Sequence, residues 1–218
     1  MRERDIYSLG IVLIGNFNPV IITPFWLSAK GLIRESEAET AKVHLVHQDI
    51  TRFELDWLTL EVTQTRLDVK TNRESHFTVL RDLILSIFGL LKETPISAIG
   101  INHLNHFSMR NLEEYKNLGY WLSPVQEFGG ILNDPKLFNI HFLETKNSEN
   151  PEKGVIRFII APSDLITDNK SILVTCNHQF ENPKNDAKAM MKIFTESWEY
   201  SFVKCNNLIN LLWEKAKI

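Results

Sequence analysis

The sequence predicts an α+β protein made of two fused two-layer halves with mainly antiparallel sheets. Three observations lead there. Many short runs alternate apolar and polar residues and are separated by turn residues; two long stretches, 76–93 and 186–215, repeat apolar residues at spacings of three and four; and strands mostly follow strands through short links, which favours antiparallel pairing. The 218 residues carry 24 Lys+Arg against 27 Asp+Glu, for a net charge of −3, and 44% are hydrophobic, an ordinary globular composition. At this length about 70% of the chain's surface is buried on folding, so no staple is needed. With Cys176 and Cys205 as its two cysteines and no CxxC, the chain excludes a disulfide framework and a zinc ribbon. The absence of a secretory leader predicts a reducing, cytoplasmic setting. No apolar run reaches the roughly 18 residues of a membrane span, and the negative balance argues against nucleic acid as a partner.

The elements follow in order. Ile6 to Phe17 is apolar at both parities and closes in Gly15-Asn16-Phe17-Asn18-Pro19, which reads as a strand buried on both sides and a turn. Thr23-Pro24 supplies a cap oxygen and a proline at the first helical position, so a short helix follows to about Gly31–Arg34. The acidic stretch Glu35 to Glu39 reads as a solvated link, and Val43 to His47 as a second strand. Between Arg52 and Val62 the apolar parity changes at Trp57, which predicts one strand that is either bulged there or passes from one packing environment to another; Arg66 to Thr71 then returns as a hairpin partner. Ser75 is placed to cap a buried helix over 76–93, and after Pro95 the strand Ile96 to Leu104 completes β-α-β-β-β-α-β. That order contains the split βαβ pattern of ferredoxin-like folds with an added strand.

The second half opens with a polar helix over Asn111 to Leu122 and the breakers Gly129-Gly130 and Asn133-Asp134-Pro135. Leu137 to Thr145, Val155 to Ala161 and Ser171 to Glu181 then read as a three-stranded antiparallel meander. A terminal helix of about 30 residues, roughly 45 Å long, should overhang its own half and meet either the other half or another chain. The halves divide at residues 1–108 and 109–218 and are expected to fold as one cooperative unit. Ala98 to His103 and Leu173 to His178 both run a strand into Asn-His, an echo that chance explains or a worn duplication does.

Candidate chemistry is sparse. The nucleophile elbow, the phosphate loop and the dinucleotide glycine motif are all absent. His44-x-x-His47 and His103-x-x-His106 have a metal-like spacing, but on strands residues three apart project from opposite faces, so no metal site is predicted. Asn102, His103 and His106, with Asn177 and His178, form the polar clusters in which a small ligand would be sought. Asp56, followed by Asp68-Val69-Lys70, has the acid…acid-x-Lys spacing with which restriction-type nuclease cores hold Mg²⁺ and support an attacking water; the resemblance is in order and spacing alone. Cys176 and His178 share the apolar side of a strand, so Cys176 is expected to be a buried, inert thiol.

The leading expectation is therefore a non-catalytic interaction protein, a subunit or adaptor of a cytosolic assembly. Its partner is another protein or a second copy, met through the terminal helix at Leu211, Leu212 and Trp213. The alternatives are a Mg-dependent nuclease at Asp56, Asp68 and Lys70, and a small-ligand binder at the Asn-His clusters. No cofactor is expected outside the nuclease alternative, which requires Mg.

Overall fold

Alternation sets the first strand, β1 (Ile6–Gly15): Tyr7, Leu9, Ile11 and Leu13 are buried, while Ser8, Val12 and Ile14 are at least partly open. The computed structural model describes residues 2–144 and 154–216. After β1 come two short helices, α1 (Pro24–Ala29) and α2 (Glu35–Glu39), and four strands, β2 (Lys42–Val46), β3 (Ile50–Glu54), β4 (Thr59–Thr63) and β5 (Arg66–Thr71). Helix α3 (Phe77–Leu90), strand β6 (Ile96–Phe107) and helix α4 (Leu112–Leu122) lead to β7 (Ile140–Leu143), β8 (Val155–Pro162), β9 (Ile172–Glu181) and the terminal helix α5 (Ala187–Ala216).

The nine strands of the described residues join one antiparallel sheet in the order β2-β3-β4-β5-β1-β6-β9-β8-β7. Because β5 and β6 are each antiparallel to β1, they run parallel to one another with β1 between them, and α3 is their crossover. This is the expected split βαβ unit. The meander is also present as β7-β8-β9, and β9 joins it to the first half through a ladder with β6 that runs from Ala98↔Glu181 to Phe107↔Ile172.

Several boundaries differ from expectation. The stretch Arg52 to Val62 is two strands, because Leu55 and Leu58 exchange backbone hydrogen bonds of 2.8 and 3.4 Å over Asp56-Trp57. The parity change at Trp57 is thus a chain reversal rather than a bulge. The acidic link 35–39 is a helical turn, where Glu37 accepts the Arg34 N–H at 2.8 Å and acids favour the positive end of the helix. Ser75 does not cap α3; a 3₁₀ turn over Glu74–His76 leads into it and the Ser75 hydroxyl engages His76 Nδ1 at 3.1 Å. Thr23 and Asn111 do cap α1 and α4. The predicted link 146–154, apart from Gly154, and Thr145 lie outside the described residues.

Two buried clusters lie along the helix-bearing face. The larger includes Leu9, Ile11, Ile99, Leu80, Ile84 and Phe88, and the smaller includes Phe107, Ile156, Phe158 and Val174. Helix α5 serves both: Met190, Phe194 and Trp198 enter the first, and Cys205, Ile209, Leu212 and Trp213 the second. At 30 residues it is about 45 Å long, and it runs along the seam of β6 and β9, from Asp186, joined through Asn182 to Ile96, to Trp213 against Phe107 at the far end of β6. Of the two outcomes expected of its length, it meets the other half. The opposite, open face of the sheet mixes polar side chains such as Asp68, Lys70, Asn102 and Thr175 with the apolar Val12 and Leu104.

Candidate functional site

Strand parity sorts the candidate residues onto two faces. Asn102, Leu104 and His106 of β6 point to the open face, and Ile101, His103 and Asn105 to the helix-covered one. The Asn-His clusters are therefore split: Asn102, His106 and Asn177 belong to the open face, whereas His103 and His178 are buried under α5. The echo of Asn-His in β6 and β9 has a geometric counterpart, since Asn102 pairs with Asn177, flanked by Ile101↔His178 and His103↔Cys176. The two segments are related by a local twofold axis through that pair.

His103 is fully enclosed. Its Nδ1 contacts the Tyr7 hydroxyl at 2.8 Å, its Nε2 the Ser201 hydroxyl at 3.0 Å, and Phe202 lies edge-on against it. Burial, reinforced by the nearby His178 and Arg4, pushes His103 down to about 3, so the ring is neutral. The same burial raises the Tyr7 hydroxyl, and the Arg4 guanidinium stacks over the Tyr7 ring at 4.4 Å. The group is satisfied internally and reaches no solvent, which corrects the expectation that His103 and His178 line a ligand pocket. Cys176 is likewise buried, and its thiol is pushed up by a hydrogen bond with Cys205 and by burial. It has no thiolate character at neutral pH.

The open face is different. Its centre is a hollow of roughly 660 Å³ whose floor is Ser8, Gly10 and Val12 of β1, Asp68 and Lys70 of β5, Asn102 and His106 of β6, and Thr175 of β9. The β3–β4 turn, including Asp56, walls one side, and Asp164 and Leu165 from the β8–β9 loop wall the other. The register aligns one row straight across the sheet, Thr59–Lys70–Gly10–Asn102–Asn177–Arg157. Within it Asn177 donates its side-chain amide to Asn102 Oδ1, while Asn102 Nδ2 lies 3.4 Å from the Gly10 and Gly100 carbonyls.

Asp56, Asp68, Lys70, Asn102 and His106, drawn from two separate readings of the sequence, thus line one hollow. Each carboxylate is matched to an arginine, Asp56 to Arg73 at 2.7 Å and Asp68 to Arg66 at 2.8 Å. Among the described residues no three His, Cys, Asp or Glu side chains come together as a metal-binding group. His106 is almost fully buried, with Nδ1 at 2.8 Å from the Ser163 hydroxyl. Desolvation holds its pKa below the usual range, against the opposing pull of Asp164 at 4.0 Å.

The terminal-helix residues are placed unlike the expectation. Trp213 and Leu212 are 7% and 4% exposed and leave only Leu211, at 49%, facing solvent. Trp213 lies edge-on to Phe107 at 5.0 Å and under the Arg2 guanidinium at 4.9 Å, so it is a core residue of its own chain. Exposed large apolar side chains occur at several places, among them Phe25, Leu165 and Val203, and seven fall between Trp121 and Leu143. Trp121, Phe128, Ile131, Leu132, Phe138, Phe142 and Leu143 are 45–91% exposed. Sequence reading missed this surface because these residues follow neither helical nor strand period across the glycine and proline breakers. It missed Gly10, Ser8, Thr175 and Asp164 because register, not local pattern, brings them together; a glycine in mid-strand was the one visible sign.

The fold defines an α+β protein whose single antiparallel sheet carries helices on one face and a polar hollow on the other. No known family model matches the chain, and no curated protein matches it in sequence. Among the described residues no helix is long and apolar enough to cross a membrane.

Proposed function

We propose that the chain is a non-catalytic interaction protein, a subunit of a cytosolic assembly, and that it meets a second copy of itself through the surface of residues 121–143. The observation that carries this reading is the concentration of large apolar side chains there. At roughly 200 Å² for each fully exposed large side chain, the seven expose on the order of 800 Å² in all, with Phe142 and Leu143 on opposite faces of β7. Strand β7 also ends the sheet, and no described residue pairs with its outer edge. Two β7 edges brought together antiparallel about a twofold axis would extend the ladder and bury Phe142 and Leu143 of both copies, a self-complementary contact.

Native mass spectrometry and light scattering over a concentration series test the reading. A dimer is expected for the unaltered chain, and a monomer of unchanged melting temperature for Ile131→Asp combined with Phe138→Glu. A chain that stays monomeric at high micromolar concentration overturns the self-association. A dimer that survives the double substitution overturns its placement.

A further inference from the structure

Gly10 occupies the middle of β1, a central strand of the sheet, with an ordinary strand conformation. A Cβ built there would come no nearer than 3.7 Å to Asn102 Cβ and 3.8 Å to Lys70 Cβ, ordinary van der Waals distances. Nothing within the chain therefore requires glycine, although glycine in a strand costs stability and leaves nothing to pack. Its effect is to keep the floor of the open-face hollow clear between Lys70 and Asn102. The charges around that floor are mostly matched in pairs: Arg66 with Asp68, Arg73 with Asp56 and His44 with Glu54. Two remain. Lys70 has no ion pair among the described residues, and Asp164, on the opposite wall, faces only His106, whose burial favours the neutral ring.

We propose that this hollow binds a zwitterionic ligand of short-peptide size, its body lying over Gly10, its carboxylate on Lys70 and its ammonium group on Asp164. The separation fits that class. Lys70 shares a row with Gly10 and Asn102, and His106, with Asp164 beside it, lies two strand spacings across and four residues further along β6, about 16 Å from Lys70 between backbones; an extended lysine side chain reaches about 6 Å of that, and three extended residues span the remaining about 10 Å. Ser8, on the floor between, and Thr175, one strand beyond β6, supply hydroxyl donors and acceptors for peptide groups. A hollow of roughly 660 Å³ is within the ordinary range for small-molecule sites.

The test is titration of the full chain with triglycine, N-acetyl-triglycine and triglycine amide, followed by backbone amide chemical shifts. Triglycine at millimolar concentration should shift Ser8, Gly10, His106 and Thr175, and capping either terminus should weaken binding at least ten-fold. Lys70→Ala and Asp164→Asn should each weaken it similarly, and each should restore indifference to the cap at its own end. Gly10→Ala should abolish binding while melting at or above the wild-type temperature, which separates a filled floor from a damaged fold. No shifts with triglycine, or equal affinity for the capped peptides, would overturn the proposal. Binding retained in Gly10→Ala would equally overturn it.

Discussion

Asn177 donates its side-chain amide to Asn102 across the β6–β9 ladder, at the one seam where the two halves of the sheet meet. The seam is ten residue pairs long, and α5 reinforces it from the other face by placing Phe194 and Trp198 in the core of the first half. Removing residues 109–218 would therefore strip cover from Ile99 and Ile101 as well as pairing from β6. Residues 1–108 alone are expected not to fold. The whole chain should unfold in urea as one transition, with tryptophan fluorescence and backbone circular dichroism coincident. Two separated transitions would show that the halves are independent domains.

His103 ties stability to pH. Its pKa is depressed in the fold to about 3 and returns to about 6.5 on unfolding, so the unfolded chain binds the extra proton between those values. Its stabilising contribution is complete above pH 6.5 and is lost as pH falls from there toward 3, by up to about 1.4 kcal/mol per unit. Glu114, held down to about 2 by hydrogen bonds from Arg2 and Arg110, adds a loss in the same direction only below about pH 4.5. His103→Gln should therefore flatten the dependence between pH 4.5 and 6.5 while leaving the steeper acid limb. Urea midpoints measured across that range decide it; an unchanged slope would mean that the imidazole titrates normally in the fold.

How much was legible in the sequence follows from where each signal resides. Alternation in β1, β8 and β9 and the spacing in α3 and α5 are local, and each element stands within a few residues of its expected place. The split of Arg52 to Val62 was visible as a phase change but not as a reversal, because Asp56-Trp57 is not a recognisable turn pair. Parity told that His103 and His106 lie on opposite faces; it could not tell which face α5 would cover. The convergence of Lys70, Gly10 and Asn102 depends on β5 and β6 both pairing with β1, from residues 32 to 92 positions apart, and no local pattern encodes that. Trp213 was misplaced for the same reason: its partners, Arg2 and Phe107, are distant in the chain.

Gly15 offers a contrast with Gly10. A Cβ at Gly15 would stand 2.2 Å from the Pro95 carbonyl oxygen, a backbone atom that cannot move aside cheaply, and 3.2 Å from Ile96 Cα. The close approach is needed because β1 ends here against the start of β6, with the Asn16 N–H donating to that same Pro95 oxygen at 2.9 Å. Gly15→Ala is expected to cost about 2–3 kcal/mol through overpacking and backbone displacement. Chemical denaturation of the variant checks the figure, and a cost below about 0.5 kcal/mol would show that the β1–β6 junction relaxes freely.

Trp213 gives the sharpest test of how the terminal helix is used. Its ring fills the second core against Phe107 and beneath Arg2, and Leu212 lies buried beside it. Trp213→Ala should remove about 3–5 kcal/mol of stability by leaving a cavity with few means of collapse. The neighbouring Leu211 faces water, so Leu211→Lys should change stability by less than about 0.5 kcal/mol. Measured together by urea unfolding at several protein concentrations, the pair separates packing from docking. A loss at Trp213 that does not vary with concentration marks an intrachain core contact. A loss that deepens on dilution, or one shared by Leu211→Lys, would instead place an intermolecular interface on the terminal helix.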